Sequence, residues 1–260
     1  MVKVAMVQMD VVFANPAKNF AFVGEAIEAA KEAGADVVVF PEMWNTGYAL
    51  DQLSDLADRH GRRTRTLISQ LAKQNEINVV AGSVATVDAG RFYNTSYVFN
   101  AAGEELAAYH KAHRFGPMHE DQYITAGNQP SLFTLAGIRS ANLICYDLRF
   151  PEWWRTAGTT GVDLYYLPAQ WPASRIDQWE ALVKARAIEN QAFVIAVNRI
   201  GSDPDNDFNG HSLAVAPSGE VLAAAGERAG IVLVDIDPHA TREAKRLFNI
   251  QQDRRPELYR

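Results

Sequence analysis

The chain has 260 residues, of which 48% are hydrophobic, and acidic residues outnumber Lys plus Arg by 31 to 25. A chain of this length and apolar content is expected to form one globular domain over residues 1–260. The formal net charge of −6 offers no basic field for a phosphate backbone, so the composition disfavours a nucleic-acid partner.

Export and membrane-insertion patterns are not found in the sequence. The opening segment MVKVAMVQMD alternates like a strand and reaches an aspartate too early for the apolar region of a signal peptide. The longest apolar runs, such as residues 192–197, are about a third of the roughly 20 residues that cross a bilayer. The only cysteine, Cys145, excludes an intrachain disulfide and a cysteine-based zinc cluster. We therefore expect a soluble protein of the reducing cytoplasm.

The first half of the chain begins with a β-α-β pattern and continues with strands. Apolar residues at helical spacing from Phe20 to Ala30 lie between two strand-like runs. A second helix is predicted over residues 62–75. Three extended runs separated by glycine-containing turns then follow without helices. The five predicted strands are residues 2–8, 37–40, 77–86, 92–100 and 106–110.

The second half returns to β-α-β order. Pro151 suits the first turn of a helix, because its missing N–H would be unpaired there in any case. A long amphipathic helix is marked by apolar residues from Ile176 to Ile188, a loop is predicted over residues 201–210, and a closing helix over residues 238–248. The predicted strands are residues 138–146, 163–168, 192–199, 211–216, 221–224 and 231–236. Since every sheet face must be covered, this order predicts a layered α/β sandwich whose two halves are related by pseudo-symmetry.

Several common functional motifs are absent from the sequence. It contains no G-x-G-x-x-G, no P-loop and no G-x-S-x-G pattern, which removes support for dinucleotide, nucleotide-phosphate and serine-hydrolase functions. His110 and His113 are three apart in an extended segment, so their side chains point to opposite faces. His119 and Glu120 lack the second histidine of a zincin helix. Surface or hydrogen-bonding roles are predicted for these histidines.

Cys145 stands between the apolar run IRSANLI and the segment YDLRFPEWW. This context predicts a thiol at the carboxyl end of a strand, just before the first turn of a helix. Unpaired N–H groups and the helix dipole at such a position favour the thiolate, which is the form that attacks carbonyl carbons. The alternative is a buried structural thiol, the usual state of a lone cysteine.

Glu42 and Lys111 occupy comparable places at predicted strand ends. Glu42 follows the buried run VVVF and Pro41, and Lys111 ends the segment LAAYHK. Open α/β sheets bind their ligands at the carboxyl ends of strands, so a base and a cation at these places complement a thiol nucleophile. An ordinary loop glutamate and a solvated surface lysine remain the alternatives.

Three segments in this order resemble the motifs of the carbon–nitrogen hydrolase (nitrilase) superfamily. They are VVFPEMWNTGY, AYHKAHRF and NLICYDLRFPEWWR. The resemblance extends over nearly the whole chain and includes ARAIENQ and GHSLAVAPSGEVL. It implies a four-layer α-β-β-α sandwich, no cofactor, and pairing into a homodimer or larger homo-oligomer.

The resemblance also implies roles for individual residues. Cys145 would be the nucleophile, Glu42 the general base, and Lys111 the cation that stabilises the tetrahedral intermediate with the backbone N–H of Tyr146. Glu120 matches a second glutamate found in many members, where it would position substrate and assist the lysine. Arg114 stands where a leucine is usual, a departure that concerns local packing.

Within the superfamily, CYDLRFPE, LPAQWP and ARAIENQ resemble the ω-amidase group, whose substrates are 2-oxoglutaramate and 2-oxosuccinamate. This implies a small amide substrate carrying a carboxylate. Arg149 and Arg175 are candidates to bind that carboxylate, although an ion-pair role is the stronger expectation for Arg149. Tyr48 and Trp171 are candidates for the apolar walls. The alternatives are an N-carbamoyl amine hydrolase, a deaminated glutathione amidase, a nitrile-converting enzyme and a catalytically inactive binding protein.

Overall fold

The computed structural model describes residues 1–259 and contains two large sheets. The first sheet has the strand order β16-β1-β2-β4-β6-β5-β3 with β7 also paired to β6, and the second has the order β15-β14-β11-β10-β9-β8. The strands are β1 Val2–Gln8, β2 Val37–Val39, β3 Asp58–Arg59, β4 Asn78–Val80, β5 Val84–Asp88, β6 Arg91–Phe99, β7 Glu105–His110, β8 Ser131–Leu135, β9 Ile138–Asn142, β10 Leu164–Ala169, β11 Phe193–Asn198, β12 Ile200–Ser202, β13 Asp207–Asn209, β14 Leu213–Val215, β15 Val221–Ala224 and β16 Gly230–Ile236.

Eight helices occur in the described residues, and four of them, Pro16–Glu32, Arg62–Gln74, Pro151–Gly158 and Ile176–Asn190, make the outer layers of the sandwich. The eight helices are α1 Pro16–Glu32, α2 Leu53–Leu56, α3 Arg62–Gln74, α4 Glu120–Tyr123, α5 Pro151–Gly158, α6 Ile176–Asn190, α7 His239–Leu247 and α8 Ile250–Asp253. Within residues 1–259, no helix is both long and apolar enough to span a bilayer. The predicted helices at Pro16–Glu32, Arg62–Gln74, Pro151–Gly158 and Ile176–Asn190 are confirmed.

Three apolar clusters hold the four layers together. One joins α1 and α3 to the outer face of the first sheet, and a second joins α5 and α6 to the outer face of the second sheet. The third fills the space between the sheets with side chains such as Val39, Tyr166 and Ile195. The predicted α-β-β-α sandwich is therefore the observed fold, because each sheet buries both of its faces.

The two halves have matching topology. The parallel strands β1, β2 and β4 of the first sheet are flanked by the antiparallel strands β16 and β6. The parallel strands β9, β10 and β11 of the second sheet are likewise flanked by antiparallel β8 and β14. This arrangement confirms the pseudo-symmetry expected from the order of elements.

Three predicted elements are wrong in their extent. The run over residues 77–86 is divided at Gly82, which has φ +57° and lies so close to the chain that an added Cβ would be 2.0 Å from the Pro41 carbonyl oxygen. The run over residues 138–146 is a strand only to Asn142, because the chain then turns into the site. The segment 201–210 contains parts of the hairpin β12–β13, whose turn is closed by Asp203 Oδ1 accepting from the backbone N–H of Asn206 at 2.7 Å.

Candidate active site

The candidate site lies where strands of both sheets end. Glu42 is three residues beyond β2, Lys111 directly follows β7, and Cys145 is three residues beyond β9. Gln170 directly follows β10, and its backbone N–H donates to Glu42 Oε2 at 2.8 Å. The structure thus brings together the three residues that the sequence singled out, at the strand ends where they were expected.

Lys111 bridges two buried carboxylates. Its Nζ donates to Glu42 Oε1 at 2.8 Å and to Glu120 Oε2 at 2.7 Å, and all three side chains have 0% exposure. Burial by itself lowers the pKa of Lys111, but the nearby Glu120 and Glu42 carboxylates outweigh it, so the net pKa is raised. The lysine is therefore held as an ammonium ion. The alternative of a solvated surface lysine is excluded.

Glu120 lies beside the lysine, as the resemblance implied. Besides the Lys111 ammonium, its Oε2 accepts from the backbone N–H of Phe115 at 2.7 Å, and its Oε1 accepts from Asn94 Nδ2 at 3.2 Å. Burial raises the pKa of Glu120, while the Lys111 charge opposes that rise. A carboxylate held by these donors fixes the direction in which Lys111 points.

Cys145 occupies a strained backbone position at the floor of a pocket. It is the first residue of a 3-10 turn, Cys145–Arg149, with φ +42° and 6% exposure. A non-glycine residue in the left-handed region persists only where its surroundings impose it, and such residues cluster at functional sites. Tyr146 is the second residue of this turn, where a backbone N–H has no partner within the turn.

The expected thiolate is not what the structure favours. Burial raises the pKa of the Cys145 thiol well above its usual value, the Glu42 carboxylate raises it further, and Lys111 lowers it only in part. The long helix α5 starts only at Pro151, so its amino-terminal N–H groups do not reach the thiol. The resting Cys145 side chain is therefore a neutral thiol, which would need a base before it could act as a nucleophile.

Tyr48 was predicted as an apolar wall, and the structure corrects this in part. Its ring lines the pocket, but its hydroxyl donates to Glu42 Oε1 at 2.8 Å and accepts from Lys111 Nζ at 3.1 Å. Burial, together with the charges of Glu120 and Glu42, raises the pKa of Tyr48 well above its usual value. The phenol therefore stays protonated and remains a hydrogen-bond donor.

Two amide side chains at the site were not predicted. Asn94 Nδ2 donates to Glu42 Oε1 at 2.8 Å, and Gln170 Nε2 donates to the Glu42 carbonyl oxygen at 2.7 Å. Gln170 lies in LPAQWP, the segment already singled out, whereas no pattern marked Asn94. Glu42 Oε1 therefore accepts from three donors, namely Tyr48, Asn94 and Lys111. Glu42 Oε2 accepts from one donor, the backbone N–H of Gln170.

Asp147 joins the cysteine turn to the lysine segment. Its Oδ1 accepts from His113 Nδ1 at 2.7 Å and from the His113 backbone N–H at 3.0 Å. Its Oδ2 accepts from the Tyr109 hydroxyl at 2.7 Å and from the Ile144 backbone N–H at 2.9 Å. Tyr109 and His113 flank Lys111, so this buried carboxylate fixes the position of the Lys111 segment relative to the Cys145 segment.

The pocket at Cys145 carries two arginines, Arg149 and Arg175. The other walls of the pocket are formed by Tyr48, Phe115, Tyr146, Gln170, Trp171 and Pro172. Arg149 lies over the Trp171 ring at 4.7 Å and donates to Gln178 Oε1 at 2.6 Å, while Arg175 lies over the Phe115 ring at 5.6 Å. Neither arginine forms an ion pair with a residue in the described range 1–259, so the ion-pair role expected for Arg149 is wrong.

The histidines near the site make hydrogen bonds, as predicted. His110 Nδ1 lies 2.9 Å from Thr95 Oγ1, His113 binds Asp147, and His119 Nδ1 lies 3.2 Å from Gln122 Nε2. No group of three or more His, Cys, Asp or Glu residues suited to a metal ion occurs in residues 1–259. Arg114, at the position where a leucine is usual, donates to the Asp121 and Ile124 carbonyl oxygens.

Comparison with known sequences agrees with this geometry. The model of the family described as "Carbon-nitrogen hydrolase" matches residues 3–246. The 2-oxoglutaramate amidase of Bacillus subtilis (strain 168) is 42% identical over 256 residues, covering 98% of each chain. The "hydrolase in agr operon" of Staphylococcus aureus is 35% identical over 260 residues, covering 99% of this chain and 100% of its own.

Solved structures share the whole fold. An amidase from Nesterenkonia sp. has a TM-score of 0.89 at 27% identity, covering 99% of this chain and 95% of that one. A CN-hydrolase superfamily protein from Xanthomonas campestris, with an arsenic adduct in its active site, has a TM-score of 0.91 at 27% identity, covering 98% and 97%. The chain therefore belongs to the carbon–nitrogen hydrolase family, with the α/β sandwich of the nitrilase superfamily and sequence similarity to its ω-amidase members.

Proposed function

We propose that this protein hydrolyses the terminal amide of a short 2-oxo dicarboxylic acid monoamide, of the 2-oxoglutaramate type, through a Cys145 thioester. The observation that carries the proposal is the juxtaposition of a neutral buried thiol, an ion-paired Glu42 and a pocket with two arginines free of ion pairs among residues 1–259. The 42% identity to a 2-oxoglutaramate amidase supports the substrate class. In a Glu-to-Gln mutant of the related amidase from Nesterenkonia sp., the active-site cysteine carries the Michael-addition product of acrylamide in one structure and the acetamide moiety of fluoroacetamide in another.

The first step is acylation of the thiol. Cys145 Sγ attacks the amide carbon as Glu42 accepts the thiol proton, and the C–O π electrons move to the oxygen. Glu42 Oε2, with a single donor, has the lone pair for this proton, whereas Oε1 already accepts from three groups. The Lys111 ammonium and the Tyr146 N–H stabilise the oxyanion. The C–N bond then breaks as Glu42 donates the proton to the nitrogen. Ammonia departs, and the acyl group remains bound to Cys145 as a thioester.

The second step hydrolyses the thioester. Glu42 accepts a proton from a water molecule whose oxygen attacks the thioester carbon, and the same cation and N–H again stabilise the oxyanion. The C–S bond breaks, and the sulfur recovers its proton from Glu42. The sum is amide plus water giving carboxylic acid plus ammonia, so no redox partner or cofactor is required.

The arginines supply the substrate specificity in this proposal. A terminal amide at Cys145 directs the remote carboxylate toward the other pocket walls, which include Arg149 and Arg175. One guanidinium contact of modest strength gives about tenfold discrimination.

The test is ammonia release from a substrate panel, measured as kcat/KM. We expect 2-oxoglutaramate to exceed its neutral ester, deaminated glutathione, an N-carbamoyl amine and a simple nitrile by at least about tenfold. Cys145→Ala and Cys145→Ser should abolish turnover and remain folded, which circular dichroism checks. If the N-carbamoyl amine or the nitrile is preferred, the substrate class is wrong, and if Cys145→Ala remains active, the thioester mechanism is wrong.

A further inference from the structure

Asn94 is a buried amide in the middle of a strand that runs beside Lys111. It belongs to β6, in which Thr95 pairs with His110 of β7. Because these two strands are antiparallel, Asn94 stands opposite Lys111, and its carbonyl oxygen accepts from the Lys111 backbone N–H at 2.9 Å. Residues directly opposite each other in such a pair carry their side chains on the same face of the sheet. The strand register therefore places the Asn94 amide on the face that carries the Lys111 side chain.

Both hydrogens of the Asn94 amide are directed at carboxylates of the site. Asn94 Nδ2 donates to Glu42 Oε1 at 2.8 Å and to Glu120 Oε1 at 3.2 Å, and all three residues have 0% exposure. A primary amide has two N–H donors, so each carboxylate receives one of them. Lys111 Nζ donates to the same two carboxylates, at Glu42 Oε1 and Glu120 Oε2. The two carboxylates are therefore bridged twice, once by the ammonium group and once by the amide.

The oxygen of the Asn94 amide is left without a partner. Asn94 Oδ1 is buried and accepts from no donor in residues 1–259. An unpaired buried acceptor is destabilising because it has lost its hydrogen bonds to water, and native proteins contain few of them. Turning the amide over would place this oxygen against the oxygens of Glu42 and Glu120, where no hydrogen bond could form. The observed orientation keeps both donors on the carboxylates and leaves the oxygen unpaired.

We propose that Asn94 is a positioning residue that holds the Glu42 and Glu120 carboxylates in place on either side of Lys111. The proposal rests on the proposed function, in which Glu42 accepts the thiol proton and Lys111 stabilises the oxyanion. Asn94 is not among the residues that line the pocket at Cys145, so it acts through the carboxylates and not on the substrate. An uncharged group with two donors is required, since a hydroxyl has one donor and a carboxylate has none.

The test compares two substitutions that separate hydrogen-bond donation from packing. Asn94→Asp keeps the shape of the side chain but adds a third carboxylate beside Glu42 and Glu120, so the three cannot all stay ionised. Asn94→Ala removes the amide and leaves space in which water can donate to both carboxylates.

The measurement is kcat and KM on whichever panel amide the wild-type enzyme turns over fastest. We expect kcat to fall about tenfold in Asn94→Ala and at least about 100-fold in Asn94→Asp, with KM within about threefold of wild type in both. A packing role predicts the reverse order, because the aspartate fills the space of the asparagine. A kcat in Asn94→Asp equal to or above that of Asn94→Ala would overturn the proposal.

An uncharged variant decides the question if Asn94→Asp does not fold. Asn94→Leu fills the space of the amide, offers no donor and excludes water, so its kcat should lie below that of Asn94→Ala. If the leucine variant is instead as active as the alanine variant or more active, Asn94 serves packing and the proposal is wrong.

Asn190 supplies a matched control. It is 2% exposed, its Nδ2 donates to the Arg186 carbonyl oxygen at 2.9 Å, and its Oδ1 is likewise unpaired within residues 1–259. Asn190→Asp therefore makes the same chemical change at a buried asparagine of α6, which has no role in the site. This variant should lower the melting temperature and keep kcat within about twofold of wild type. A loss of kcat equal to that of Asn94→Asp would overturn the proposal, because burial of a carboxylate would then be the cause.

A crystal structure of Asn94→Leu needs no substrate and separates this proposal from the proposed function. We expect the carboxylates to turn, so that Lys111 Nζ loses its contact of 2.8 Å with Glu42 Oε1 or of 2.7 Å with Glu120 Oε2. Turned carboxylates, in a protein whose wild type hydrolyses no panel amide, would refute the proposed function and keep the positioning role. Unmoved carboxylates together with an active wild type would refute the Asn94 proposal alone.

Discussion

The two topologically matched halves of the sandwich contribute different chemistry to the site. The first half supplies the buried charges Glu42, Lys111 and Glu120, each with 0% exposure. The second half supplies the thiol of Cys145, the amide of Gln170 and the two pocket arginines. Equivalent strand ends thus carry charged groups in the first half and a thiol in the second half. The pKa of the Cys145 thiol depends on the charges of Glu42 and Lys111. The comparison shows that this site exists only where the two sheets meet.

The sharpest way to break this dependence is to remove one charge of the first half at a time. Glu42→Gln and Lys111→Met should each lower kcat and kcat/KM together by on the order of 100-fold or more, because a base or an oxyanion donor is lost. Their effects on the Cys145 thiol should be opposite. Glu42 raises the pKa of Cys145 and Lys111 lowers it, so the thiol pKa should fall in Glu42→Gln and rise in Lys111→Met.

Thiolate absorbance near 240 nm, titrated in each variant, measures these two shifts. Cys145→Ala supplies the blank, since it lacks the only cysteine of the chain. If the pKa of the Cys145 thiol moved in the same direction in both variants, the individual charges of Glu42 and Lys111 would not determine it. A change confined to KM in Lys111→Met would indicate a substrate-binding role for that lysine.

The next prediction concerns Asp147, whose carboxylate links the Lys111 segment of the first half to the Cys145 segment of the second half. Asp147→Asn keeps the shape but replaces one of two oxygens, each of which accepts from two donors, with an NH2 group that cannot accept, so it should cost about 1–3 kcal/mol of unfolding free energy. Because Cys145 and Lys111 are then no longer held in a fixed relative position, kcat should also fall by about tenfold. Asp163→Asn is the matched control, since Asp163 forms a partly exposed pair with Lys245 at 2.8 Å.

Urea unfolding and steady-state kinetics on both aspartate variants make this measurement. The control should lose less than about 1 kcal/mol and keep its activity. An Asp147→Asn enzyme with wild-type kcat would show that the Lys111 and Cys145 segments keep their relative position without the carboxylate.

The smallest expected effect concerns the pocket arginines of the second half. Arg149→Gln and Arg175→Gln should each raise KM for a carboxylate-bearing amide by about tenfold with little change in kcat, because a contact with the remote carboxylate is equally present in the ground and transition states. KM for the neutral ester of the same amide should not change. An equal rise in KM for both substrates would assign the arginines to the shape of the pocket instead of to charge recognition.

The sequence determined much of this site because its information is local. Glu42, Lys111 and Cys145 each follow a run of strand-forming residues, and each lies in a short segment whose resemblance to a family motif is readable without the fold. The order of helical and strand-like runs likewise predicted a layered α/β sandwich, since hydrophobic periodicity reports which face of an element is buried, and the family resemblance implied that the layers number four. The strained turn at Cys145 and the split at Gly82 were not predicted, because each position lies inside a strand-like run, and a strand pattern does not report a positive φ.

Tertiary structure alone decided the contacts and charge states of those residues. Gln170 and Glu42 are 128 positions apart, and Asp147 meets His113 across 34, so no local pattern could reveal either pair. The sequence context of Cys145 favoured a thiolate, whereas the folded environment raises its pKa. The physical reason is that desolvation and the Glu42 charge act through space, and both arise only when the sheets close over the site.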